Sequence, residues 1–171
     1  MDLLRSKVRD IPDFPKPGIL FKDLTPVIAD SRLLRASAEA LAEPFRTNGV
    51  TVVAGMEARG FIFGSIVAYI LDVGFVPLRK AGKLPHQTHR AAYALEYGEA
   101  SLEMHIDAVC ARDHVLLVDD LIATGGTAAA SCDLILRAGA RIAGCAFVIE
   151  LDFLAGRKLL APHRVHALLH Y

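Results

Sequence analysis

Two adjacent carboxylates, Asp119 and Asp120, directly follow the apolar run Val115-Leu116-Leu117-Val118, and the small stretch Ala123-Thr124-Gly125-Gly126-Thr127 comes three residues later. A short apolar run of this kind reads as a buried strand, and residues 128–138, stopped by Gly139, read as a helix. The stretch between them places successive backbone N–H groups at a helix N-terminus, where unpaired donors and the helix dipole hold an anion. Gly125 and Gly126 let the backbone close around a phosphate, and Thr124 and Thr127 add hydroxyl donors. The carboxylate pair can accept hydrogen bonds from two vicinal hydroxyls or help place a metal. A phosphate one sugar away from a diol, as in a ribose 5-phosphate, satisfies both halves. Neither G-x-x-x-x-G-K-[ST] nor G-x-G-x-x-G occurs, which argues against a nucleoside-triphosphate cradle and a dinucleotide site. A bare Gly-Gly turn is an ordinary strand-to-helix connection; the apolar strand, paired acids, small loop and threonine together argue for more.

The surrounding elements must hold this segment in place. Residues 1–30 are rich in proline and charge and predict an irregular arm after one short helix at 3–9, packed on the body through Phe14, Ile19, Leu20 and Phe21. Asp30 or Ser31 caps a helix whose apolar face is Leu34, Ala38, Leu41 and Phe45, ended by Gly49. Strands are expected at 50–55, 75–79, 115–118, 143–151 and 165–169, with helices at 61–71 and 128–138. Residues 80–92 fit neither period and predict a basic loop, followed by a hairpin of 93–97 and 102–106. Strands alternating with helices predict an α/β fold with a mainly parallel sheet covered on both faces. The 171 residues suit a single domain spanning 1–171, with no linker or internal repeat to divide it.

Composition narrows the function classes. The chain is 53% hydrophobic and 22% charged, which excludes disorder. Its 19 basic and 19 acidic residues cancel, so no basic field suggests a nucleic-acid partner, and an anionic ligand must meet local donors. Mean hydropathy is +0.37, yet the longest apolar run, 61–71, is too short to cross a bilayer that needs ~20 residues. The N-terminus has no signal-peptide core, so a cytoplasmic protein is expected. Cys110, Cys132 and Cys145 form no CxxC pair and read as reduced core residues.

The segment 115–127 resembles the phosphoribosyl-pyrophosphate (PRPP) motif of the type I phosphoribosyltransferases. Further blocks in family order strengthen the resemblance: residues 14–26 (Phe14-Pro15-Lys16-Pro17-Gly18 through Thr25-Pro26), 55–64 around Glu57-Ala58-Arg59-Gly60, 76–85 around Gly82-Lys83-Leu84-Pro85, and 93–98 around Leu95-Glu96-Tyr97-Gly98. It covers about residues 10–171, and block 14–26 is similar to the arm of the adenine-specific members. The resemblance implies a twisted central sheet with an N-terminal arm over the base (1–30) and a mobile lid and hairpin (80–97). It also implies transfer of 5-phosphoribose from PRPP to N9 of adenine, giving AMP and pyrophosphate, with Mg²⁺ bound mainly through PRPP and no direct protein ligand.

The same resemblance assigns roles. Ala123, Thr124, Gly125, Gly126 and Thr127 would hold the 5′-phosphate; Asp119 and Asp120 would bind the ribose hydroxyls and stabilise an oxocarbenium-like C1′. Glu57, Ala58, Arg59 and Gly60 match the pyrophosphate loop, which in the family often carries a non-proline cis peptide. Arg59 is either a pyrophosphate clamp with a catalytic part or a surface ion pair. Lys80 and Lys83 would be pyrophosphate ligands from a lid that excludes water, against the alternative of solvated loop charges. Arg79 matches a position that reaches the neighbouring subunit's site, which implies a homodimer. Glu96 is either the acid that protonates adenine N7 or a solvent-facing hairpin residue. Leu20, Phe21 and Lys22 would face the base, with Leu121, Ile122 and Leu151 as the opposing wall; core packing is the competing role for Phe21. His86-x-x-His89 lacks a third metal ligand. Ala81, Lys22 and Ala111-Arg112-Asp113 depart from the family pattern outside the phosphate-binding residues. An enzyme for another purine and a PRPP-sensing regulator are the alternatives. The arm favours adenine, and the regulator would need a basic face and a DNA-binding module within the 49 residues expected before the first strand.

Overall fold

A computed structural model describes residues 1–94 and 99–171. Its central sheet has seven strands in the order β5-β6-β4-β3-β7-β8-β9. These are β3 (Val52–Met56), β4 (Gly74–Lys80), β5 (Thr88–Ala94), β6 (Glu99–His105), β7 (His114–Ile122), β8 (Arg141–Glu150) and β9 (Val165–His170). β4, β3, β7, β8 and β9 run parallel, and the antiparallel β5–β6 hairpin joins the β4 edge through Arg79↔Glu103 and Lys80↔Leu102.

Both faces are covered, because the central strands are apolar on both sides. β3 is buried at all of its positions. In β7, Val115 and Leu117 join the core with α5 (Gly126–Arg137), whereas Leu116 and Val118 join the core with α3 (Ser31–Ala42) and α4 (Gly60–Leu71). Asp30 caps α3 by accepting hydrogen bonds from the Arg32 and Leu33 N–H groups at 2.9 and 3.3 Å. Pro44 starts a 3₁₀ turn at Glu43–Phe45, so α3 ends at Ala42 rather than running to Gly49. Gly49, at φ +65°, turns the chain toward β3 instead.

Several expectations change. The arm is not one helix followed by irregular chain. After α1 (Asp2–Lys7) it forms a separate antiparallel pair, β1 (Arg9–Pro12) with β2 (Leu20–Asp23), and then α2 (Thr25–Ala29), so the first strand begins at Arg9. Hydrophobic alternation is replaced there by charge: register sets Arg9 opposite Asp23 and Asp10 opposite Lys22, with ion pairs at 3.6 and 2.7 Å. Of the basic loop, only 81–87 is irregular, since Thr88 already belongs to β5. That strand lies at the sheet edge and, among residues 88–92, buries only Ala91, opposite Leu102, too small a signal for a period of two. The predicted strand 93–97 extends into residues outside those described. β7 does not stop before the acids but carries Asp119 and Asp120 within it. α5 starts at Gly126, earlier than expected. Cys132 and Cys145 are buried with their Sγ atoms 3.8 Å apart, but Cys110 is exposed and not a core residue. No helix among the described residues is long and apolar enough to cross a membrane.

Gly55 fixes the distance between β3 and α4. A Cβ there would sit 2.7 Å from Cε2 and Cζ of Phe75 and 3.0 Å from the Gly60 carbonyl oxygen. Gly55→Ala should therefore cost about 1–3 kcal/mol by overpacking. Urea unfolding of the two proteins measures it; an unchanged midpoint would show that the Phe75 ring yields freely.

Candidate active site

The carboxyl ends of parallel strands converge on one region, the usual place for a ligand in an open α/β sheet. The chain from β7 to α5 lines a cavity of about 100 Å³, with Asp119, Leu121, Ile122 and 123–128 around it and Met56 and Phe147 beneath. Gly125 is the N-cap residue of α5 at φ +84°, a conformation that glycine adopts without cost. Ala123, Thr124, Gly125, Gly126 and Thr127 thus lie together at a helix N-terminus.

Asp119 and Asp120 diverge from this point. The Asp119 carboxylate accepts the Asp120 N–H at 2.8 Å. Burial and the neighbouring Asp120 carboxylate push its pKa well above the ordinary carboxylate range. The α4 N-terminus presses on the same group: a Cβ on Gly60 would lie 2.7 Å from Asp119 Oδ1 and 2.8 Å from the Val118 carbonyl oxygen. Asp120 is 4% exposed, and its carboxylate accepts a hydrogen bond from Arg59 Nε. Burial opposes the Arg59 charge, but Asp120, Asp119 and Asp23 outweigh it and raise its pKa. Its guanidinium carbon lies 5.4 Å from the Phe21 ring centre, and Phe21 meets Phe14 edge-on at 5.1 Å. Arg59 is thus an exposed residue at 48% side-chain exposure that pairs with the buried Asp120 and faces the Phe21 ring.

The Glu57–Ala58 peptide is cis. Burial would raise the Glu57 pKa, but the Lys80 N–H and Arg79 Nε, each 3.1 Å from Oε2, bring it below the usual value. With its side chain so engaged, Glu57 offers this loop its backbone. Arg79 also donates from Nη1 to the Lys83 carbonyl at 2.9 Å, and the Gly82 N–H donates to Glu103 at 2.9 Å. Segment 81–87 is thereby tied to β4 and β6, while the Lys80 and Lys83 side chains are exposed.

The residues expected around a base divide. Leu20 is exposed and Phe21 half-buried beside Arg59. Lys22 turns away, binding Asp10 at 2.7 Å and covering the Tyr171 ring at 4.0 Å. Leu121 and Leu151 pack on the α3–α4 core and Ile122 in the α5 core, so the three do not form one continuous wall. Glu96 lies outside the described residues. His86 stands beside His105, with ring centres 5.9 Å apart.

Sequence reasoning missed Asp23, which accepts the Thr25 N–H and hydroxyl at 2.9 and 2.8 Å and adds to the field on Arg59. The Asp-x-Thr spacing of such a turn was its available signal. Gly156, packed against the phosphate-type loop, was also missed, and so was the ion pair of the buried Glu150 with the exposed Arg157. Neither carries a local pattern.

Sheet order and site together define a phosphoribosyl-transfer fold, and the chain belongs to the phosphoribosyl transferase domain family, whose profile matches residues 27–164. Within it, the chain is 58% identical to the adenine phosphoribosyltransferase of Nitrosococcus oceani and 61% identical to that of Methylococcus capsulatus, each over 100% of both chains. The crystal structure of adenine phosphoribosyltransferase from Rhodothermus marinus superposes with a TM-score of 0.95 at 54% identity, covering 99% of this chain and 97% of that one. The Saccharomyces cerevisiae enzyme, complexed with an imino-altritol bisphosphate and adenine, gives 0.93 at 41% identity, covering 98% and 97%.

Asp119 makes a pH-dependent contribution to stability. Its folded pKa is raised, so the native state carries a penalty above that pKa, and the penalty fades as pH falls toward the unfolded value. Asp119→Asn should therefore raise the thermal midpoint at about pH 7.5, and the gain should shrink toward about pH 4. Calorimetry at both pH values checks the sign; a lower midpoint for the variant at the higher pH would contradict it.

Proposed function

We propose that this chain transfers 5-phosphoribose from PRPP to N9 of adenine, giving AMP and pyrophosphate in purine salvage. One observation carries the reading: the acid pair Asp119–Asp120 stands beside an anion cradle at 123–127, with Arg59 and Phe21 on its other side. The identities to adenine phosphoribosyltransferases over whole chains support it.

In this mechanism the 5′-phosphate sits on the N–H groups and hydroxyls of 123–127. Asp119 and Asp120 take the ribose hydroxyls, which orients C1′ toward the base. The C1′–O bond to pyrophosphate breaks with its electron pair leaving on oxygen, and the N9 lone pair of adenine forms the new bond. Positive charge on C1′ in between is stabilised by the nearby carboxylates. Arg59, with the backbone at 57–60, receives the pyrophosphate charge, and Lys80 at the end of β4 and Lys83 in segment 81–87 cover it. Phe21 stacks on the purine, with Leu121 and Leu151 opposite, and Glu96 handles the proton at N7: as N9 of the N7–H tautomer bonds to C1′, that proton passes to the Glu96 carboxylate, and in the reverse direction Glu96 returns it as the acid.

The carboxylates of the site fit a Mg²⁺ ion carried on PRPP oxygens: Asp120 is bound by Arg59, and Glu57 by Arg79 and the Lys80 N–H. When bound, that ion neutralises charge on the leaving pyrophosphate. Arg79 is the residue through which a homodimer would bear on the site. A cytoplasmic location suits these substrates.

Purified protein given PRPP, Mg²⁺ and each purine separately should release pyrophosphate with adenine alone. Turnover of a 6-oxopurine instead would discard the account of the base pocket. The double variant Asp119→Asn/Asp120→Asn should lower kcat by about 10²–10³-fold; near-normal kcat would remove these acids from the mechanism.

A further inference from the structure

We infer that Gly156, Glu150 and Arg157 are positioning residues that set the shape of the 5′-phosphate loop, an assignment that rests on the proposed role of 123–127. β8 ends at Glu150, whose register partner is Ile122, the last residue of β7. The chain then folds back through two 3₁₀ turns, Asp152–Leu154 and Gly156–Leu160, with Ala155 between them at φ +52°. This reversal lays Gly156 directly on the phosphate loop. A Cβ on Gly156 would lie 2.8 Å from the Gly125 nitrogen and 2.9 Å from the Thr124 carbonyl carbon, and would strike the Ala123 carbonyl oxygen. A Cβ on Gly125 would lie 3.0 Å from the Gly156 carbonyl carbon and 3.1 Å from its Cα. Two backbones meet here with no side chain between them, so neither loop can shift without the other.

The turn is itself clamped. Glu150 is 2% exposed and accepts Arg157 Nε at 2.6 Å on Oε1 and Arg157 Nη2 on Oε2, a bidentate pair that leads straight into Gly156. The Leu151 N–H donates to the Ile122 carbonyl at 3.0 Å, and the Asp152 N–H to the Tyr171 carbonyl at 2.8 Å. Leu160, 1% exposed, anchors the far end of the turn in the α5 core. A phosphate held by backbone N–H groups depends on their aim, and here the aim is set from behind by residues that do not touch the reacting atoms.

The test compares wild type with Gly156→Ala, Arg157→Met and Arg157→Lys in steady-state kinetics and in calorimetric binding of ribose 5-phosphate and of adenine. Gly156→Ala should raise KM for PRPP by about 10- to 100-fold and weaken ribose 5-phosphate to match, with KM for adenine changed by less than about twofold. Arg157→Met should act in the same direction by about 3- to 10-fold, and Arg157→Lys less, since a single donor keeps part of the clasp. If Gly156→Ala does not fold, the two Arg157 variants decide. Unchanged ribose 5-phosphate affinity, or equal losses for PRPP and adenine, would overturn the inference. A wild type that binds ribose 5-phosphate but turns nothing over would overturn the proposed activity instead, and the binding comparison would still judge this inference.

Discussion

Two carboxylates on successive residues, inside a strand and largely out of water, repel each other, and the site is organised around that repulsion. One is answered by a cation: Arg59 binds Asp120. The other has the Asp120 N–H and the charge of Arg59, but burial and the neighbouring carboxylate outweigh them, and its raised pKa records the cost. An ordinary core would replace such a pair with apolar residues at no loss of stability. On the proposed function, a ligand supplies what the protein withholds, first the hydroxyls of a sugar and then positive charge on its anomeric carbon. Arg59 has a double duty in this arrangement. It pairs directly with Asp120, and its charge also acts on Asp119 and Asp23 across the site.

Close backbone approach delivers these groups. Gly60 brings the α4 N-terminus onto Asp119, Gly55 and Gly64 receive the Phe75 ring, and Gly125 meets Gly156. Each contact removes a Cβ where two elements carrying functional groups must lie nearer than side chains permit. The β3–α4 and β7–α5 connections are therefore fixed to the sheet by packing, although both are loops.

Much of the fold was legible because both faces of the central strands are apolar. The runs around Val53, Leu117 and Val148 can be read in no other way than as buried strands, and the turn glycines mark their ends. The phosphate-type loop was legible because its chemistry is contiguous along the chain. Failures share a physical cause: the deciding partner lies far away in sequence. β1 and β2 exist through charges aligned across a hairpin, β5 through the small inward contact of Ala91, and the continuation of β7 through Asp119 and Asp120 by pairing with β8. The partner of Arg59 could not be read from its sequence neighbours, because Asp120 lies 61 positions along. Ile122 and Leu121 were adjacent in sequence but belong to opposite cores.

The arm combines two kinds of force: its hairpin is tied by charge, whereas Leu4, Leu24 and Val27 are buried in the α3–α4 core. Its hairpin is held by Arg9 on Asp23 and Lys22 on Asp10, and Arg5 reaches the His170 carbonyl and the Tyr171 ring. The sheet beneath is held by apolar burial. Dissolved salt weakens the first kind of force and leaves the second intact. Ionic strength thus bears on the β1–β2 pair that carries Phe21, through Arg9–Asp23 and Lys22–Asp10. The hairpin can therefore loosen without the arm leaving the body, because Leu4 before it and Leu24 and Val27 after it remain buried.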